Sequence, residues 1–478
     1  MPCPRLSRRL ALAATLAAAL PFATTFTARA QGAALPPEVD AALARARVPR
    51  EAVSILVVEA QARTPRLAWR AQVPMNPASV MKLATTYAGL DLLGPAYAWN
   101  TSVYLDGPVQ GGVLQGNAYI QGRGDPKLVV ERLWLLLRRL QGQGVQAIAG
   151  DIVLDRSAFA LPPADPAGFD GEPLRPYNAA PDALLVNYKS IVMTFVPDPA
   201  AGSARVVSEP PLAGVQMPAT VALAAPGAEC GDWRGALKAD FSAATRVAFD
   251  GVYPAACGER AWPVAYADPG AYAARAIEGM WREIGGRLAG RVRDGRVPEG
   301  LPPAFGMASP ALAEVIRDIN KYSNNVMAQQ LFLTLSLQRN GTGTPEGSRE
   351  VLRQWWRERF GEADMPVFDN GAGLSRDGRI SAQALARMLQ AAWQSPLMPE
   401  LASSLPISGV DGTLRRSQTR FVGAAHLKTG SLRDVAAVAG YVHAPSGRRY
   451  ILVAFANHAN AGALRPAFDA LVDWTARE

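Results

Sequence analysis

Asn76-Pro77-Ala78-Ser79-Val80-Met81-Lys82 runs directly into Leu83-Ala84-Thr85-Thr86-Tyr87-Ala88-Gly89-Leu90-Asp91-Leu92, with Gly94-Pro95 just beyond. The Asn-Pro-Ala-Ser opening carries helix-start residues and Gly94-Pro95 is a stop. Between them, Val80 to Leu92 is apolar on nearly every face, which predicts a helix buried all round. Ser79 and Lys82 are three residues apart on its first turns, so their side chains share one face, about 5–6 Å apart at Cβ. Burial and the positive end of the helix dipole both disfavour an ammonium there, so Lys82 can be neutral and accept the Ser79 proton. The simpler reading of the pair is a capping serine and a snorkelling lysine.

Lysine usage favours the chemical reading. Of 49 basic residues, six are lysines: Lys82, Lys127, Lys189, Lys238, Lys321 and Lys428. A chain that uses arginine for plain charge keeps lysine where a compact ammonium with a tunable pKa is needed. Lys428-Thr429-Gly430 forms a K-T-G on a predicted strand, followed by Ser431-Leu432, and Ser323-Asn324-Asn325 forms an S-x-N. Chance supplies roughly 0.3 S-x-x-K, about 0.5 S-x-N and about 0.05 K-T-G in such a chain, so their joint, ordered occurrence carries the weight.

Working outward, Val53–Glu59 and Arg66–Ala71 around Thr64-Pro65 read as a hairpin. Strands are predicted at His426–Ser431, Val435–His443 and Arg449–His458, and an amphipathic helix at Leu464–Glu478. Helical patterning covers Ala271–Arg287 and Pro310–Leu335. Residues 99–263 have short alternating segments, repeated glycines and proline-rich joins, and read as a β-rich insertion of one or two subdomains. Strands at both ends with helices between predict one sheet built from the N- and C-terminal segments. The expected division is a signal peptide at 1–30, a discontinuous main domain at 31–98 and 264–478, and the insertion at 99–263.

The chain has 478 residues, 49% hydrophobic and 19% charged, which suits a folded, enzyme-sized protein and gives no case for disorder. Residues 1–30 hold Arg5, Arg8, Arg9 and Arg29 and no acid, an apolar run Leu10–Phe22, and Ala28-Arg29-Ala30, the pattern of an export signal. The net charge of +8 falls to 45 basic against 41 acidic residues once that segment is removed. That balance, without basic runs interleaved with aromatics, leaves no expectation of nucleic acid binding. No later stretch is long and apolar enough to span a bilayer, so no transmembrane anchor is expected after signal cleavage. Cys3 leaves with the signal. In an oxidising compartment Cys230 and Cys257 read as a disulfide, with two buried free thiols as the alternative, and the lack of neighbouring Cys or His ligands predicts no metal. His426, His443 and His458 all lie in or beside the C-terminal strands, and no G-x-S-x-G context exists for a Ser-His-Asp triad.

With S-x-x-K, S-x-N and K-T-G in that order, the sequence resembles the penicillin-recognising serine acyl transferases. The long interval from Ser79 to Ser323 is similar to that of the D-alanyl-D-alanine carboxypeptidase/endopeptidase group of low-molecular-mass class C penicillin-binding proteins. Further strings look like that group: Gly124-Asp125-Pro126, Asp155 with Phe159, Asn320-Lys-Tyr-Ser-Asn-Asn325, Asn370-Gly-Ala-Gly-Leu-Ser-Arg376 and Ser408-Gly-Val-Asp-Gly-Thr-Leu414. The resemblance runs from about Val53 to the C-terminus.

It implies an α/β fold with a β-lactamase/transpeptidase-like domain, an antiparallel sheet flanked by helices, carrying a β-rich insertion between the S-x-x-K and S-x-N motifs. It also implies a periplasmic DD-peptidase that cleaves D-Ala-D-Ala termini or D-Ala-meso-diaminopimelate cross-links of peptidoglycan stem peptides and is acylated by β-lactams, with no cofactor. Ser79 would be the nucleophile, Lys82 its base, Ser323 a proton relay and Asn325 a holder of the substrate amide. Lys428 and Thr429 would bind the terminal carboxylate, Gly430 completes their motif, and the N–H groups of Ser79 and Ser431 would form the oxyanion hole. Asp155, Phe159, Arg376 and Arg433 fall where the family contacts the peptide side chain; the plainer reading is surface ion pairs and a core Phe. Ala372 and Arg433 depart from the family pattern and are expected to stay clear of the acylation machinery. A β-lactamase would need a deacylating Glu-x-x-Leu-Asn string, which is not evident, and a non-catalytic wall-binding or β-lactam-sensing protein would be expected to lose Lys82 or the S-x-N.

Overall fold

In Val53–Glu59 (β1), Val53, Ile55 and Val57 enter one apolar cluster while Leu56 and Val58 enter another. That period of two marks a strand buried on both faces. The computed structural model describes residues 34–477, so the expected signal segment lies outside the described residues. β1 joins Leu67–Trp69 (β2), Ala425–Leu432 (β3), Val435–His443 (β4) and Arg449–Asn457 (β5) in an antiparallel sheet of order β3-β4-β5-β1-β2. One face is covered by Pro37–Arg45 (α1) together with a C-terminal helix. On the other lie Lys82–Leu93 (α2), Leu312–Lys321 (α3), Asn325–Asn340 (α4), Pro345–Phe360 (α5) and Ala382–Gln394 (α6). Arg465–Ala476 (α7) is the C-terminal helix on the α1 face. Every residue of α2 from Lys82 to Leu90 is buried.

The region read as one helical stretch at Pro310–Leu335 is two helices, α3 and α4, broken at Tyr322-Ser323-Asn324. The Asn324 side chain accepts from the Met327 N–H at 3.0 Å and caps α4, while Ser323 takes a left-handed φ of +57°. Side-chain oxygens of this kind compete with a continuous helix, but the apolar pattern runs on because both helices are buried.

Residues 100–308 form the second body of the fold. Their ends meet: Asn100–Leu105 pairs antiparallel with Phe305–Ala308, Asn100 opposite Ala308, and the Ser309 N–H donates to the Trp99 carbonyl at 2.8 Å. The inserted segment is β-rich, yet it runs on to Ala308 where the sequence suggested 263. The helix Tyr272–Glu283 buries Tyr272, Ala276, Ile277, Met280 and Trp281 in the insertion's own core, and Val292–Gly295 pairs with Ile152–Asp155. An amphipathic pattern announces a face to be buried without saying against which core. Cys230 and Cys257 are joined as a disulfide within this segment. The insertion is anchored on α4, where buried Gln330 exchanges hydrogen bonds with the Asp182 backbone at 3.0 and 2.8 Å. Among the described residues, no helix is long and apolar enough to cross a membrane.

Candidate active site

The turn that presents Ser79 is held from behind. Ala78–Met81 is a 3₁₀ turn leading into α2, and Ala78 takes φ +45°, uncommon for a residue with a Cβ. The Asn76 Oδ1 accepts from the Ala78 N–H at 2.8 Å, its amide donates to the Ser375 carbonyl at 2.9 Å, and its backbone is bracketed by the Asn457 side chain at 2.9 and 3.0 Å. Strained backbone of this kind persists where surrounding contacts over-determine it, and such places cluster at active sites. Ser79 itself remains partly exposed.

Lys82 is wholly buried. Its Nζ lies 2.9 Å from Ser79 Oγ, 2.7 Å from Asn325 Oδ1 and 2.6 Å from the Ala372 carbonyl. Burial, and then the charge of Lys428, push its pKa well below the ordinary lysine value. A neutral amine has two N–H bonds and one lone pair. The two carbonyl acceptors take the N–H bonds, and the lone pair is left facing the Ser79 hydroxyl. The Asn325 amide group points the other way and donates to the Tyr177 carbonyl at 3.2 Å.

Lys428 is equally buried, and burial lowers its pKa to about 7. Its Nζ donates to Ser323 Oγ at 2.9 Å and to the Thr429 carbonyl at 2.6 Å. The Thr429 hydroxyl pairs with that of Thr413 at 2.7 Å. Gly430 is required by proximity: a Cβ there would stand 2.5 Å from the Pro77 carbonyl oxygen and 3.1 Å from the Ser79 nitrogen. Gly373, at φ +72°, meets the same turn from the opposite side, where a Cβ would fall 1.9 Å from the Ala78 oxygen. The Ser79 turn is thus gripped between the edge strand β3 and the Asn370–Ser375 string.

Ser79, Lys82, Ser323, Asn325, Lys428, Thr429 and Gly430 are therefore brought together, with Ser431 exposed at the end of β3. The peptide-contact candidates are not gathered in the same way. Asp155 is buried, and although burial would raise its pKa, hydrogen bonds from Ser157, Val297 and Gln121 hold it below the usual carboxylate value. Phe159 is packed in the main core between Gly124 and Gly343. Arg376 pairs with Asp434 at 3.3 Å and lies over the Phe169 ring at 4.8 Å, while Arg433 is exposed in the β3–β4 turn. Of the plainer reading, surface ion pairs and a core Phe, the contacts of Arg376 and Phe159 have that form, whereas Asp155 is held by neutral hydrogen-bond donors and, among the described residues, by no ion pair. Ala372 corrects one expectation, because its carbonyl is a partner of the proposed base even though its side chain is not. Tyr177 carried no motif and was not legible beforehand, while Thr413 lay in the quoted Ser408–Leu414 string without a role assigned to it.

Residues 35–478 match the D-Ala-D-Ala carboxypeptidase 3 (S13) family. The chain is 31% identical over 398 residues, 78% of its length and 71% of the relative's, to a D-alanyl-D-alanine carboxypeptidase of Actinomadura sp. (strain R39). It is 25% identical over 405 residues, 82% of each protein, to the D-alanyl-D-alanine carboxypeptidase DacB of Haemophilus influenzae. The crystal structure of penicillin binding protein 4 (dacB) from Haemophilus influenzae superposes with a TM-score of 0.74 at 21% identity, covering 92% of this chain and 99% of that one. A further structure of that protein is complexed with a β-lactam.

Proposed function

Because this chain belongs to the D-Ala-D-Ala carboxypeptidase 3 (S13) family, we propose that it is an exported, periplasmic serine DD-peptidase, acylated on Ser79 by peptidoglycan stem peptides and by β-lactams. The observation that carries this reading is the triple contact of Lys82, which leaves a lone pair for one proton, that of Ser79. Ser79 Oγ attacks the carbonyl carbon of the penultimate D-alanine as its proton passes to Lys82 Nζ. The developing oxyanion is held by the N–H groups of Ser79 and Ser431, an arrangement in which one donor is worth about 3–4 kcal/mol elsewhere. The C–N bond then breaks, and the leaving amine receives a proton relayed through Ser323, which Lys428 holds in place. Water attacks the ester by the same route in reverse. Lys428 and Thr429 receive the terminal carboxylate. A cross-link whose acceptor centre keeps a free carboxylate offers the same handle, so carboxypeptidase and endopeptidase action share one site.

The test is peptide mapping after a labelled penicillin, alongside mass spectrometry of digested peptidoglycan. The adduct is expected on Ser79 and absent in Ser79→Ala, with loss of terminal D-alanine, cleaved cross-links, or both. Label on another serine, or an unchanged digest with the wild-type protein, would overturn the reading.

A further inference from the structure

Lys321, the last residue of α3 and two before Ser323, is nearly fully buried, yet no step above uses it. Its ammonium pairs with Asp411, which lies in the Ser408–Leu414 segment and whose other oxygen accepts from the Ile407 N–H at 2.8 Å. Burial alone would raise the Asp411 pKa; hydrogen bonds from Lys321 and Ile407 hold it below the usual value, so the pair is ionic. Gly412, at φ +54°, packs on the backbone of Lys321 so closely that a Cβ would stand 2.5 Å from the Lys321 carbonyl oxygen. One residue further, Thr413 joins its hydroxyl to that of Thr429. The start of the segment runs along the edge strand: the Ser408 N–H donates to the Ala425 carbonyl at 2.9 Å, and the Leu427 N–H donates to the Pro406 carbonyl at 3.0 Å.

We propose that Lys321 and Asp411 are positioning residues for this reaction: their ion pair is a strut that holds the Ser323 turn and the K-T-G strand at the spacing acylation needs. The pair touches no reacting atom. One end sets the helix terminus from which Ser323 emerges, and the other sets the segment that orders Thr413 against Thr429. The connection matters because β3 is the edge strand of the sheet, and among the described residues its outer side meets no further strand, only the 406–408 stretch that leads into Asp411. Sheet pairing does not set its distance to α3; there the Lys428–Ser323 hydrogen bond is joined by the Lys321–Asp411 pair, whose ammonium is buried. Removing Asp411 strands the Lys321 ammonium inside the protein, a large penalty, and removing Lys321 frees the part-exposed Asp411 from its hold on α3. The proposal rests on the acylation reading for its functional half alone.

The experiment compares wild type with Lys321→Met, Lys321→Arg, Asp411→Asn and the Lys321→Met/Asp411→Asn double variant. Two readouts are taken on each: hydrogen exchange of residues 407–414 and 425–432, and the second-order rate of acylation by a fluorescent penicillin. Lys321→Met and Asp411→Asn are expected to speed exchange in 407–414 and slow acylation about tenfold or more, as a displacement of about 1 Å does. Lys321→Arg should recover part of the rate, and the double variant should lose less than the two single losses combined. Asp411→Asn keeps size and the Ile407 acceptor, so it serves if Lys321→Met does not fold. Unchanged exchange in 407–414 overturns the strut, whatever the enzyme's activity. Faster exchange with acylation within threefold of wild type overturns its role in catalysis. If the wild type takes no penicillin, the acylation reading falls and the exchange result still decides the strut.

Discussion

Two buried lysines of different duty face each other in this site. Burial, and then the charge of Lys428, disfavour the charged form of Lys82 and so favour the form that can accept a proton. Replacing it with arginine keeps a cation but supplies no base, since a guanidinium does not deprotonate in proteins. Lys82→Arg is expected to acylate at least about a hundredfold more slowly with labelled penicillin, in the range general-base catalysis contributes. Lys428 must instead carry its proton to attract a carboxylate, and its pKa of about 7 means that it does so below neutrality. For a peptide ending in a free carboxylate, kcat/KM should therefore fall as the pH rises past about 7, because kcat/KM reports the free enzyme. That alkaline limb should vanish with the amidated peptide and in Lys428→Ala. A limb that persists in Lys428→Ala would assign it to another group.

At the scale of elements, the site is a meeting of backbones more than of side chains. The 3₁₀ turn before α2 is clamped by Gly430 of β3 and by Gly373, and both glycines face main-chain atoms that cannot swing aside. Gly430→Ala should push β3 from the nucleophile turn and slow acylation by roughly tenfold to a hundredfold, the cost of misplaced reacting groups. The far-ultraviolet circular dichroism should stay that of wild type. Gly462→Ala, where a methyl meets open space, is the matched control and should leave the rate unchanged. A Gly430→Ala enzyme as fast as its control would mean that the strand yields freely.

At the scale of the molecule, two cores divide the labour. Ser79 sits with the central sheet, and the Cys230–Cys257 disulfide sits in the inserted body of residues 100–308, whose core is separate. The bridge closes a loop of 27 residues, which in the chain-entropy account stabilises by about 3 kcal/mol. A Cys230→Ala/Cys257→Ala variant should unfold at lower denaturant, by about that amount, and still acylate within about twofold of wild type. Loss of acylation in the folded variant would show that the insertion shapes the site.

The elements and the side chains that the fold gathers at the candidate site were readable because their signals are local. The short β-branched run of β1, the all-round apolar run of α2, and three short motifs each lie within a few residues, so Ser79, Lys82, Ser323, Asn325 and Lys428 stood out from spacing and residue type. Contacts between segments far apart in the chain were settled by tertiary structure alone. The Ala372 and Tyr177 carbonyls that complete Lys82 and Asn325 belong to the backbone, which is the same atom set at every residue and leaves no mark in a sequence. The break at Ser323 was hidden because both flanking helices are buried, and burial continues the apolar pattern across the gap. The end of the insertion at Ala308 was hidden for a related reason. Hydrophobic patterning records that Tyr272–Glu283 must bury a face, while the core that receives it is chosen by how the strands at Asn100 and Ala308 close on each other.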